Sequence, residues 1–310
     1  MPNRRLLSQN TKRYKEQQPY GFGDLIDKVK EIAKVISPSR QEAAPPVELP
    51  TMPNTPIKGT YDQRNTMYAV GLINNFLYKL VNSSYDMTAL DFDGSTTKYY
   101  TYSKGDNAIG FSQVSKDKQT MVVCFRGTQT LSDFFADIQY NYYAPSAGVA
   151  TPNQQNPDPV SRTAPGFTKA YNKIKESLLA NVPPTVSRIF ICGHSLGGSL
   201  ALLAASDLSV LYKDIVEVYA IAPPRTGNPA FANLIKKNSS YALSLINLAD
   251  TVPAIIFSYM FNTTIEPYIP CAFSHVDTIA VFNNLKGDVL DCHRISTYYE
   301  AVSSGKIQVV

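Results

Sequence analysis

Arg188-Ile-Phe-Ile-Cys192 is followed by Gly193-His194-Ser195-Leu196-Gly197-Gly198 and then by Ser199-Leu-Ala-Leu-Leu-Ala-Ala205. The short apolar run reads as a strand buried on both faces, and the Ala/Leu-rich stretch after it reads as a helix. Between them a serine stands two residues from a glycine on either side. At such a sharp turn, side chains at the glycine positions would clash with the strand and the helix. The serine hydroxyl then projects above the sheet, at the positive end of the following helix. Gly-x-Ser-x-Gly in this setting is a nucleophile elbow.

Outward from this turn, strands and helices alternate. Gly166–Leu179 is helical in pattern, Ser199–Leu211 is a helix, Val216–Ile221 a buried strand, Ala230–Lys237 a helix, and Tyr241–Leu248 another buried strand. Upstream, Met67–Val81 is helical, and Ala108–Val114 and Thr120–Phe125 form a hairpin around Lys116-Asp-Lys118. Together these predict an α/β fold with a mostly parallel central sheet and helices on both faces.

The N-terminal part reads differently. Phe22, Leu25, Ile26, Val29, Ile32, Ala33 and Ile36 fall at helical spacing, with Asp24 as N-cap and Ser37-Pro38 as the stop. This amphipathic helix is expected to dock on the main domain or at a protein interface, the other reading being an anionic lipid surface. Five prolines between residues 41 and 58 then suggest a stiff linker. The expected division is therefore a basic extension, 1–56, and an α/β domain, 57–310.

Composition bounds the function. In 310 residues, 44% are hydrophobic and 17% charged, which excludes a disordered polyelectrolyte. No run of about 18 apolar residues is present to span a membrane. Residues 1–40 hold nine Lys/Arg against four Asp/Glu, a net +5; since the whole chain is +4, residues 41–310 sum to −1. A body so near neutrality argues against nucleic acid as a partner. Four scattered cysteines and three histidines make no metal signature, and no cofactor is expected. Cys124 and Cys192 read as buried thiols, whereas a Cys271–Cys292 bridge depends on compartment. The N-terminus lacks the apolar core of a secretory signal. A cytoplasmic or membrane-peripheral location is expected, or a secreted one if a leader is missing from this chain.

A serine hydroxyl needs a base, and the base needs an orienting carboxylate. In elbow-bearing sheets they follow in the order Ser, acid, His. Two histidines lie beyond Ser195. His293, at the head of the last helical pattern, is favoured over His275, which lies inside a strand-like run. Asp250 directly follows a buried strand and so falls at the carboxyl end of the sheet, where such folds assemble their sites. Asp207 and Asp214 lie on or near the helix after the elbow and point away.

These residues resemble those of the class 3, or fungal-type, triacylglycerol lipases of the α/β-hydrolase superfamily. Val122-Val-Cys-Phe125-Arg126-Gly127-Thr128 is similar to that family's F-R-G-[ST] strand end, and Gly166-Phe167-Thr-Lys-Ala-Tyr171 to its G-F-x-x-x-Y helix. Gly193–Gly198 agrees throughout. Pro224-Arg225-Thr-Gly227-Asn228-Pro229-Ala-Phe231 resembles its P-R-x-G-[ND]-x-x-F turn, and Asn247-Leu-Ala-Asp250-Thr-Val252-Pro253 its N-x-x-D-x-V-P acid segment. Asp291-Cys-His293 resembles the terminal H-x-x-Y element, with Ser296 where that tyrosine stands. The resemblance implies Ser195 as nucleophile, Asp250 as orienting acid and His293 as general acid–base. It implies backbone N–H groups of Thr128 and Leu196 as the oxyanion hole, with Arg126 and Arg225 bracing loops (Asp137 being a candidate partner). The implied substrate is an acylglycerol or other ester, with a rate falling as pH drops through the imidazole range, roughly 6–7. A chain starting near Ile57 is then expected to keep the chemistry.

Leu131, Phe134 and Phe135 share one face of a short helical pattern just after Thr128 and read as a lid over the substrate groove, responsive to a lipid–water interface, the other reading being a permanently packed lid base. The chain departs from its relatives in having no tryptophan and in Pro165 before Gly166-Phe167. Other readings are a phospholipase A-type activity on the same triad and a non-catalytic lipase-like interaction protein. The phosphatase-like Asp91-Phe92-Asp93-Gly94-Ser95-Thr96 lacks the long apolar strand such a signature follows, and is read as a turn.

Overall fold

Strands that alternate with helices in sequence become a layered α/β sheet in space. The computed structural model describes residues 44–81, 96–102, 108–127, 144–145, 161–254, 260–261, 270–271, 275–276, 278–287 and 289–310. The helix expected over Phe22–Ile36, the Asp91–Ser95 turn and the Leu131–Phe135 lid lie outside the described residues. Among those described, eight strands form one sheet in unbroken chain order. They are β1 (Thr96–Tyr100), β2 (Gly110–Val114), β3 (Thr120–Phe125), β4 (Arg188–His194), β5 (Val216–Ile221), β6 (Tyr241–Asn247), β7 (Thr278–Phe282) and β8 (Gln308–Val309). β1 to β3 pair antiparallel, β3 to β7 parallel, and β8 closes antiparallel on β7.

The helices are α1 (Gln63–Val81), α2 (Pro165–Asn172), α3 (Lys175–Leu179), α4 (Leu196–Leu211), α5 (Pro229–Asn238), α6 (Val289–His293) and α7 (Ile295–Ser303). Because β3 to β6 step in one direction, right-handed crossovers send their connecting helices to a single face. There Phe167, Tyr171, Leu178, Leu200, Leu203, Phe231 and Ile235 pack on Val123, Phe125, Ile189, Ile191, Val218 and Ala242. The alternate strand residues, among them Val122, Cys124, Phe190, Tyr219, Leu243 and Phe282, point the other way. Elements outside the crossovers must cover that face, and α1 and α7 do so through Leu72, Phe76, Tyr298 and Val302. Each large apolar side chain so buried contributes about 1.5–3 kcal/mol.

Several boundaries move for local reasons. α1 begins four residues before Met67 because the Asp62 side chain accepts the Asn65 N–H at 2.9 Å, a cap that apolar spacing does not reveal. The expected Gly166–Leu179 helix is two, divided where Ile174 turns into the core. The edge strands β1 and β8 were not expected. No described helix is long and apolar enough to cross a membrane.

The proline-rich segment corrects the linker reading. Its prolines keep it extended, yet it is laid against the second face. Val47 exchanges hydrogen bonds with the Asn75 side chain at 2.8 Å in both directions. The Thr55 hydroxyl donates to buried Glu217 at 2.7 Å, and Leu49 and Met52 pack on the core. Residues 44–56 therefore belong with the domain. A chain starting at Ile57 is now expected to melt several degrees lower than one starting at Ala44, while the fraction that folds keeps its chemistry. Equal melting curves would restore the linker reading.

Candidate active site

Ser195 occupies the junction of β4 and α4 with φ 58° and ψ −126°, a left-handed conformation that costs a non-glycine residue about 1–3 kcal/mol. Its N–H donates to Ile221 O at 2.9 Å, and its carbonyl accepts the Gly198 N–H at 2.9 Å. The flanking glycines are dictated by contact. A Cβ on Gly193 would lie 2.0 Å from Gly197 O, and one on Gly197 would lie 2.5 Å from Arg126 O. The loop leaving β3 is equally close: a Cβ on Gly127 would meet the Ser195 Cβ at 3.0 Å. Arg126 braces this loop by donating to Ala108 O at 2.6 Å and Gly127 O at 2.8 Å.

At the end of β6 the Asn247 side chain staples three segments together. Its Oδ1 accepts the N–H groups of Ala249 (3.2 Å) and Asn284 (2.9 Å), and its Nδ2 donates to Asn284 O and Cys292 O at 3.0 Å each. Asp250 follows, 4% exposed, with Oδ1 accepting the Val252 N–H at 2.9 Å. Its Oδ2 accepts His293 Nδ1–H at 2.6 Å and the Tyr298 hydroxyl at 2.7 Å. A carboxylate accepts, so Nδ1 of His293 carries a proton, and in the neutral ring Nε2 is the acceptor. Tyr298 takes the Asn247 N–H on its own oxygen at 3.1 Å, which directs its proton to Asp250. Burial first, and then the charge of Asp250, pushes the Tyr298 phenol well up, so it stays a donor.

Ser195 and His293 are 0% and 1% exposed, and neither Ser195 Oγ nor His293 Nε2 has a hydrogen-bond partner. The ring of His194, next to the serine in the chain, lies 4.7 Å from the ring of His293. A buried hydroxyl and a buried imidazole nitrogen left unpaired cost about 1–3 kcal/mol each, which a polar group entering the site would relieve.

The structure places the other candidates as follows. Leu196 is the first residue of α4, where N–H groups have no partner within the helix. Thr128, Leu131, Phe134 and Phe135 lie outside the described residues. His275 precedes β7 and meets the carbonyl of Pro253 rather than Asp250; burial, then the Arg225 charge, pulls its imidazole down to about 4. Asp207 is turned into the helical layer, 3.0 Å from Lys175. Cys124 and Cys192 are free buried thiols opposed in register on β3 and β4. Cys292 is also free and accepts the Lys286 N–H, while the Cys271 side chain is not among those described.

Sequence reasoning missed Tyr298. The resemblance set Ser296 in the tyrosine's place, but Arg294 is extended (φ −61°, ψ 140°) and breaks the helix after His293. The break shifts the reach to the acid two residues along. Tyr298 also keeps helical spacing with Ile295 and Val302, so the pattern alone marks it as core.

Residues 122–260 match the family model described as Lipase (class 3). The chain is 28% identical over 171 residues to a secreted mono- and diacylglycerol lipase of Malassezia globosa, covering 52% of this chain and 55% of that one. It is 26% identical over 249 residues to a chloroplastic/mitochondrial phospholipase A1 of Oryza sativa subsp. indica, covering 69% and 56%. The crystal structure of the lipase from Rhizopus microsporus var. chinensis shares the fold at a TM-score of 0.51 and 19% identity, over 81% of this chain and 85% of its own. The chain thus spans about half the length of these two curated relatives. Elbow, sheet order and family model agree, and residues 122–260 carry the match to the lipase class 3 family.

Proposed function

We propose that this chain is a serine hydrolase that cleaves the carboxylic esters of acylglycerols through an acyl-enzyme. The observation that carries the reading is the buried Asp250–His293 pair beside a serine held on a strained turn. Ser195 Oγ attacks the ester carbonyl while His293 Nε2 takes its proton, and Asp250 stabilises the imidazolium formed. The tetrahedral oxyanion faces the N-terminus of α4. There the Leu196 N–H supplies a donor worth roughly 3–4 kcal/mol, and the family resemblance implies a second from Thr128, which lies outside the described residues. His293 then returns the proton to the leaving alkoxide. Water repeats the sequence on the acyl-enzyme, releasing the fatty acid and freeing Ser195.

The relatives bear names for neutral glycerides and for phospholipid, whose shared chemistry is a fatty-acyl ester of glycerol. The net charge of −1 over residues 41–310 offers no net positive charge to hold a headgroup phosphate and favours the phosphate-free glyceride. The test is fatty-acid release from monoolein and triolein emulsions and from phosphatidylcholine vesicles, with Ser195→Ala as control. Faster release from the neutral glycerides is expected. Faster release from phosphatidylcholine would make this a phospholipase A-type enzyme on the same residues. No release from any, with Ser195 unlabelled by a fluorophosphonate, would leave the non-catalytic interaction protein.

A further inference from the structure

His194 is 0% exposed and makes a bond that the proposed chemistry has not used: its Nε2 lies 2.8 Å from the main-chain oxygen of His293. A carbonyl only accepts, so Nε2 carries the proton and Nδ1, which has no partner, is bare. The need for this donor arises in the chain itself. His293 is the last residue of the five-residue α6, so its carbonyl is one of the orphaned acceptors of a helix end. The backbone does not fill it from α7, whose first bonds run from Thr297 and Tyr298 N–H to Arg294 O. One helical turn is also too short to hold itself in place.

We infer that His194 is a positioning residue for the proposed hydrolysis: its Nε2–H, donated to the His293 carbonyl, ties the nucleophile's turn to the helix end that carries the base. Asp250 fixes one atom of the His293 ring, about which the ring can still swing Nε2 away from Ser195. The His194 bond adds a second anchor, on the main chain of the same residue, from the residue adjoining the nucleophile. Packing agrees, since the His194 ring lies 4.7 Å from that of His293 and 6.1 Å from Tyr298. Burial, then the His293 charge, holds the His194 imidazole well below its ordinary range, so it remains neutral there.

The inference rests on the hydrolase reading, and its test is built to separate the two. His194→Gln places an amide N–H at about the reach of Nε2, His194→Asn falls one methylene short, and His194→Leu fills the space with no donor. With p-nitrophenyl butyrate, Asn and Leu should lower kcat about 100-fold, the scale of a 1 Å misplacement, with little change in KM. Gln should recover most of that loss, while melting temperatures of Gln and Asn stay alike. Equal kcat losses in Gln and Asn, or wild-type kcat in both, would overturn the inference. Independently of activity, the histidine ¹⁵N spectrum of the wild-type chain should show His194 as the Nε2–H tautomer. An Nδ1–H tautomer overturns the clamp, whereas a wild-type chain with the expected tautomer and no ester turnover overturns only the hydrolase reading.

Discussion

Ser195→Ala and His293→Ala should each remove ester turnover by about 10⁴- to 10⁶-fold, with the fold retained. The two losses should not add, because nucleophile and base act as one unit. Stability is expected to hold for Ser195→Ala because its Oγ has no hydrogen-bond partner to lose. His293→Ala leaves Asp250 with the Val252 N–H and the Tyr298 hydroxyl, so the cost is about 1–3 kcal/mol and not an abandoned charge. Asp250→Asn should lose about 10⁴-fold, since an amide can present N–H to Nδ1 and hold His293 in the wrong tautomer. His275→Ala should stay active, because His275 meets Pro253 and not the acid. Steady-state rates on p-nitrophenyl butyrate, beside circular dichroism, decide the matter. An inactive, folded His275→Ala with an active His293→Ala would refute the assignment.

Arg188→Met is expected to have the largest effect on stability of the changes considered, about 3–5 kcal/mol, seen as a fall in melting temperature of roughly 10 °C. Arg188 lies at the start of β4, with Nε 2.6 Å and Nη2 3.0 Å from the two oxygens of Glu217, which is 0% exposed. The same guanidinium reaches Pro53 O and Asn65 Oδ1, tying the proline-rich segment and α1 to β4 and β5. Losing it strands a buried carboxylate whose remaining donors are the Thr55 and Tyr219 hydroxyls. The double variant Arg188→Met/Glu217→Gln should recover much of the loss, since no charge is then left unpaired. Turnover by the folded fraction should be unchanged, because this knot sits at the amino ends of the strands and the site at their carboxyl ends. A loss under about 1 kcal/mol, with no recovery in the double variant, would overturn this account of the pair.

What the sequence discloses follows from the range of the physics involved. Strands β3 to β6 were legible because burial on both faces leaves no room for polar residues, and the elbow because backbone contacts at Gly193 and Gly197 exclude any side chain. Edge strands β1 and β8 were not, since a one-sided strand such as Thr96–Tyr100 need carry no apolar run. Asp250 and His293 could be nominated from their places at element ends. The Tyr298 and His194 contacts could not, because each depends on how two distant segments meet: a broken helix in one case, an orphaned carbonyl in the other. The proline-rich segment misled because proline reports an extended backbone and is silent about what the backbone lies on.

One consequence of the unbroken strand order concerns time rather than geometry. The crossover helices are made between the strands they cover, so that half of the molecule can condense as it emerges from the ribosome. The opposite half waits. Its cover comes from α1, synthesised before every strand, and from α7, synthesised after seven of the eight, joined by contacts such as Gln63 Nε2–H to Val302 O at 2.7 Å. Contacts of such long sequence separation close slowly and leave Tyr219, Tyr241, Leu243 and Phe282 wet in the meantime. His293 and Tyr298 arrive with that late segment, so a nascent chain carries Ser195 long before it carries the proposed base. On the proposed function, it therefore turns over no ester until the cover that protects it from aggregation is also in place.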